Sequence, residues 1–377
     1  MSPYSELHTH SYFSLLDGAS SPEALVAQAA ALGMTALALT DHDAVYGAPR
    51  FVRAAQAAGL QPILGVELTL HNRSHLTLLV QDESGWHNLS ALITAARHNA
   101  VKGEAALPKN HLIEHTDGLI ALSGCRQGAI ARALQKKNYA SALHTTQHFV
   151  ALFGRERFWV ELQHHLRPED QRLNQDLSTL AQAVGVGVVA TNNVHYATRD
   201  RQPLQDVLVC IRHNTTLDEA SQLRPNSEYY LKSAQDLAPL FAQTPQALAN
   251  STAIASLCDF ELRYGLQDLP VFPTPDGLDA PVYLQRLCQQ ALAKNEWPSN
   301  IHAQLAHELH VIHTSGLSNY FLNRLGYCAL CPRSGHSVSG AWFSGQFAGG
   351  LSLGTRLKIK SQNGDETTHS RTLRTCF

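Results

Sequence analysis

The sequence predicts an α/β fold: a parallel sheet with helices outside it, curled toward a barrel-like closure. Three observations carry this expectation. Short apolar runs alternate with amphipathic stretches from the start of the chain to about Ala190, as in chains built of βα units. The apolar runs number about seven, more than a small open sheet needs. Ligand-type side chains recur at the strand ends, where folds of this kind place their chemistry.

Ser5–His8 reads as the first strand. Ser21-Pro22-Glu23 then opens a helix over Glu23–Leu32, with Ser21 as N-cap, proline at the first helical position and Gly33 as the stop. Thr35–Thr40 is an apolar run suited to a buried strand, and Ala48–Ala58 is a helix stopped by Gly59. Strands are expected at Gln61–Leu70, His75–Gln81, Gly118–Leu122, Phe158–Glu161 and Val186–Ala190. The helices among them span Gly85–His98, Gly128–Gln135, Tyr139–Phe153 and Pro168–Val184.

The pattern changes after Arg199. Pro203–Ile211 reads as helix, Asn214–Leu231 as polar loop, and Ser233–Leu240 and Pro245–Ser256 as short helices. The proline-rich stretch Leu269–Gly277 is a linker. Helices over Pro281–Lys294 and Ile301–Thr314 follow, with Gly316 as the stop, and periodicity is lost from Asn323 onward.

Composition narrows the function. A chain of 377 residues with 44% apolar residues can bury a proper core. A formal charge of −2 and a pI near 6.9 argue against a self-sufficient nucleic-acid binder. Seven cysteines without framework spacing and the lack of a signal peptide point to a reducing cytoplasm. No apolar run approaches the roughly 20 residues of a membrane span. The 21 histidines are unusually many; those at 71, 98, 111, 144, 148, 302 and 307 read as surface residues.

The strand ends carry, in order, His8, His10, Asp17, His42, Glu67, His75, Cys125, Asn193 and His195. Side chains alternate along a strand, so His8 and His10 share a face and can hold one ion together. Imidazole, carboxylate and thiolate suit zinc, manganese or iron, and nine such groups exceed the needs of one ion. Glu67 is the candidate for a carboxylate bridging two ions, which is a device for phosphoester displacement. Asp41 reads as a residue that orients a ligand histidine or assists the chemistry directly. Glu161, His164 and His165 could face substrate or solvent. Cys328-x-x-Cys331 has the spacing of half a zinc site with no second pair.

His8-x-His10, Thr40-Asp41-His42, Gly65-Val66-Glu67, Ser123-Gly124-Cys125 and Asn193-x-His195 resemble the motifs of the PHP (polymerase and histidinol phosphatase) domain. Residues 4 to 322 are similar to the amino-terminal part of bacterial C-family DNA polymerases, the polymerase III alpha subunit type. Arg201–Leu208 and Cys210–His213 resemble the error-prone branch. The resemblance implies a distorted seven-stranded β/α barrel with up to three divalent ions. His8, His10, Glu67 and position 193 would hold the first, Glu67, His75 and Cys125 the second, and Asp17, His42 and His195 the third. Asn193 stands where the family has aspartate, which gives up a charge at the first site. Glu67 and Asp41 are the residues assigned to catalysis.

By the same resemblance, residues 1–200 are the metal-binding barrel, 201–275 a connecting segment and 276–322 the start of a polymerase palm. The likeness stops near Leu322–Asn323. Read one base later, codons for Asn323 to Arg333 and for His336 to Gly354 can encode stretches that continue the family. An out-of-frame tail over 323–377 is therefore expected, with no DNA synthesis by this chain. The implied partners are DNA and the replication or translesion proteins of the full-length family. An inactive scaffold and a stand-alone histidinol-phosphatase-like enzyme are the rival readings.

Overall fold

A computed structural model describes residues 4–325, apart from 99, 102, 109, 220–222, 224–225, 264–269 and 294–297. The tail beyond Leu325, including Cys328 and Cys331, lies outside the described residues. The chain divides after Arg263 into two compact units.

The first unit is built on six strands: β1 (Ala36–Leu39), β2 (Gln61–Thr69), β3 (His75–Val80), β4 (Leu119–Leu122), β5 (Phe158–Gln163) and β6 (Gly187–Thr191). They form one sheet in sequence order. The helices are α1 (Pro22–Ala31), α2 (Ala48–Ala58), α3 (Glu83–Arg97), α4 (Ala129–Gln135), α5 (Tyr139–Phe153), α6 (Asp170–Val184), α7 (Gln202–His213), α8 (Ala234–Leu237) and α9 (Gln246–Ala255). Local signals set their ends. Ser21 accepts the Ala24 N–H at the start of α1, and α2 stops at Gly59, whose φ of 70° suits a residue without Cβ.

Two expectations are corrected. The sheet is not all parallel, because β3 runs antiparallel to both β2 and β4. Its link from β2 is only residues 70–74, whereas a parallel crossover needs about a dozen or more. The expected seventh strand at Ser5–His8 is absent among the described residues. That segment makes single pairings instead, Glu6 with Leu37 and Thr9 with Val194. The Ala38 N–H donates to the Glu6 carbonyl and the His10 N–H to the Val194 carbonyl. The N-terminal segment therefore ties β1 to the chain leaving β6, and so joins the two edges of the sheet.

Helices cover the outer faces. Phe51, Leu89, Phe149 and Leu177 belong to one large buried cluster with Leu37, Leu68, Leu78 and Val160 of the strands. A second cluster gathers Leu7, Ala36, Ala38, Ile63, Leu79, Ile120, Leu122 and Val189, with Ile254 and Ala255 of α9 and Cys258 packed against them. The Gln61 side chain donates to the Ala255 and Cys258 carbonyls, which holds the end of α9 to the start of β2.

The second unit contains α10 (Ala280–Leu292) and α11 (Ser299–Thr314). Its core is small: Leu284, Cys288, Leu305 and Leu322.

Candidate metal centre

Glu67 is the hub. It sits near the end of β2 and is 1% exposed. Its Oε1 lies 3.5 Å from His8 Nε2 and 3.1 Å from His75 Nδ1. Its Oε2 lies 3.3 Å from both His10 Nε2 and His42 Nδ1. The antiparallel course of β3 explains how His75, at the start of its strand, takes part. Reversal places that start beside the end of β2, with Thr69 paired to His75.

Two groups of three ligand atoms result, each within 4.8 Å: His8, His10 and Glu67, and His42, Glu67 and His75. Cys125 Sγ lies 3.6 Å from His75 Nδ1. The turn before it needs Gly124, where φ is 86° and a Cβ would lie 2.5 Å from the His75 carbonyl oxygen. A third cluster centres on Asp17, 3.1 Å from both His42 Nε2 and His195 Nδ1. His42 thus faces Glu67 through one ring nitrogen and Asp17 through the other. Asn193 occupies the left-handed region at φ 42°, which asparagine tolerates. Its Oδ1 is buried without a hydrogen-bond partner among the described residues.

The donors fit divalent cations. Among the described residues His8 Nε2, His10 Nε2, Glu67 Oε1 and Asn193 Oδ1 are all buried without a hydrogen bond, a state that costs free energy unless something takes the lone pairs. The ionisation states agree. Burial opposes charge on Glu67, but His75, His8 and His42 hold its carboxyl well below the usual range. Asp17 is likewise held well below it, against burial, by His195 and His42. Burial and the neighbouring His42 push His10 well down, which keeps it neutral. Burial and Glu67 push the Cys125 thiol well up, so its deprotonation awaits a cation.

Supporting residues complete the centre. Glu161, on β5, shares a 2.6 Å contact with His8 Nδ1. A donor there fixes the tautomer that turns a bare Nε2 toward Glu67. Burial would lower His8, but the Glu161 and Glu67 carboxylates outweigh it and raise its pKa well above normal, so Nε2 becomes bare only when an arriving cation displaces its proton. Gln163 and Thr191 also donate to Glu161. Asp41 does not touch the ligand atoms. It accepts from Ser11 and Ser14, and Ser14 Oγ lies 3.1 Å from His10 Nδ1. His165 is buried with Nε2 2.8 Å from the Asn192 carbonyl, and burial pulls its pKa down to about 3. His164 lies apart, on a cavity beside α6. Ser14 is a participant that no sequence signal marks, since a loop serine is unremarkable.

Residues 6–165 match the PHP domain family. The chain carries a PHP domain. Its sequence is 41% identical over 84% of its length to the error-prone DNA polymerase of Symbiobacterium thermophilum. It is 36% identical over 85% to that of Mycolicibacterium paratuberculosis, and 32% identical over 84% to the DNA polymerase III subunit alpha of Treponema pallidum. The chain spans about a third of these relatives, 31%, 31% and 28% of their lengths. The expected likeness to bacterial C-family polymerases, error-prone branch included, therefore holds. No helix among the described residues is long and apolar enough to cross a membrane.

Proposed function

We propose that this chain is the PHP-bearing part of an error-prone DNA polymerase of the polymerase III alpha type, and that its centre hydrolyses phosphoesters. The observation that carries the hydrolase reading is Glu67, whose two oxygens each meet two histidines. One carboxylate shared by two ligand groups is how two ions are held close. Zinc, manganese or iron suits the nitrogen, oxygen and sulfur donors. Two ions fit these groups, and a third would rest on Asp17, His42 and His195.

Bound ions would supply an activated water and neutralise charge on phosphate oxygens. The chain's own residues do the positioning. Glu161 fixes the ring of His8, and Asp41 acts on His10 through Ser14, so Asp41 is a positioning residue. Residues 201–275 connect the barrel to 276–322, the start of a palm, and 323–377 are an out-of-frame tail. The cellular setting is cytoplasmic replication or repair, with DNA as partner and 3′-to-5′ removal of nucleotides as the activity.

The test is hydrolysis by the purified, manganese-loaded chain. Release of nucleotides from DNA 3′ ends, abolished in Glu67→Ala, is expected. Turnover of a small phosphate ester but not of DNA would move the assignment to a stand-alone phosphatase. No turnover of either by metal-loaded protein would leave an inactive scaffold.

A further inference from the structure

The geometry points to Arg212 as the phosphate-binding residue of this centre, a contact that sets the preference for an anionic ester. This rests on the hydrolase reading above. Arg212 lies in the last turn of α7, and its Nη1 is 3.3 Å from Asp17 Oδ2, with the side chain 49% exposed. A cation in a last helical turn complements the helix dipole. That accounts for an arginine here, but not for its reach to the acid on which His42 and His195 converge.

Its bonding sets Arg212 apart from Arg126 and Arg50. Arg126 places its guanidinium on Asp170 and Glu169, and Arg50 places both sides of its fork on Glu23. Among the described residues Arg212 donates one hydrogen bond, to Asp17. A guanidinium carries five N–H donors in a planar fork, so most of this one remains available at the edge of the centre. A divalent ion held by Asp17, His42 and His195 would draw on the same carboxylate charge. Arg212 would then stand beside a cation with a weakened counter-charge. A phosphate oxygen pair matches that fork in charge and shape. The half-exposure lets the ligand arrive from solvent, whereas the histidines around Glu67 are mostly buried.

The experiment uses the full chain loaded with manganese, with Arg212→Met and Arg212→Lys beside it, and inorganic phosphate as the probe in calorimetry. Losing a charge-assisted pair should weaken phosphate binding about 10- to 100-fold in Arg212→Met. KM for a phosphate monoester should rise in parallel, Arg212→Lys should recover part of the loss, and the metal content should be unchanged. Phosphate affinity within about twofold of the parent in Arg212→Met overturns the proposal. So does a loss of metal in that variant with unaltered phosphate binding per loaded site, since Arg212 would then merely support Asp17. If phosphate binds in an Arg212-dependent way and no ester is turned over, the hydrolase reading fails and this assignment stands.

Discussion

The two ends of the barrel interior are built from the same strands and do opposite things. Along β2, Ile63 packs against apolar neighbours at one end, while Glu67 collects four histidines at the other. Along β3, Leu79 belongs to the apolar end and His75 to the polar one. The apolar end is closed by α9. Among the described residues the polar end leaves several buried ligand atoms, such as His8 Nε2 and His10 Nε2, without a hydrogen bond. Free energy gained by packing at one end holds in place, at the other, a cluster whose buried ligand atoms are unsatisfied without cations. Stability and chemistry are therefore separable by mutation.

The largest effect tests that separation directly. Glu67→Ala removes the shared ligand and should cut phosphoester hydrolysis by about 1,000-fold or more, with circular dichroism showing a retained fold. Its counterpart is Ile63→Ala at the apolar end, 1% exposed. Denaturant titration should show a loss of about 2–5 kcal/mol, while metal content stays that of the parent. If Ile63→Ala loses metal while still folded, the two ends are not independent.

Smaller changes sharpen the polar end. Glu161→Gln loosens His8 and should weaken metal affinity about 10- to 100-fold, read by competition with a chromophoric chelator. Asn193→Asp restores a charged oxygen and should strengthen retention at the His8–His10 site by about 10-fold, by the same measurement. Acid should act on the polar end in metal-free protein. The Glu67 and Asp17 carboxyls are depressed in the folded state below their ordinary 4.5 and 3.8. Their contribution is therefore complete above those values and is lost as pH falls toward the folded ones. Thermal midpoints of the parent should drop below pH 4.5 more steeply than those of Glu67→Ala.

Much of this was legible in the sequence, for identifiable reasons. Helix boundaries carry local signals, such as Ser21 before Pro22 and Gly59 after α2. The ligand residues stand out because histidine, aspartate and cysteine at strand ends have little packing value. The direction of β3 is harder to read. The βα rhythm suggests parallel strands, and only the shortness of residues 70–74 argues otherwise. The first strand reads as regular from its alternation, yet its partners on either side, Leu37 and Val194, allow only single pairings. Glu161 remains undecided in the sequence because its partner, His8, is 153 residues away. Asp41 has the motif position of an active residue, and only the folded chain shows that Ser11 and Ser14 take up its oxygens.

The central claim is that Glu67 is shared between two cation sites. Metal stoichiometry of the purified chain and of Glu67→Ala, after equilibration with manganese or zinc and measured by mass spectrometry, tests it most directly. The account predicts at least two ions per parent chain and the loss of both Glu67-dependent ions together in the variant. A parent chain that retains no divalent ion, or a variant that retains the full complement, would contradict it.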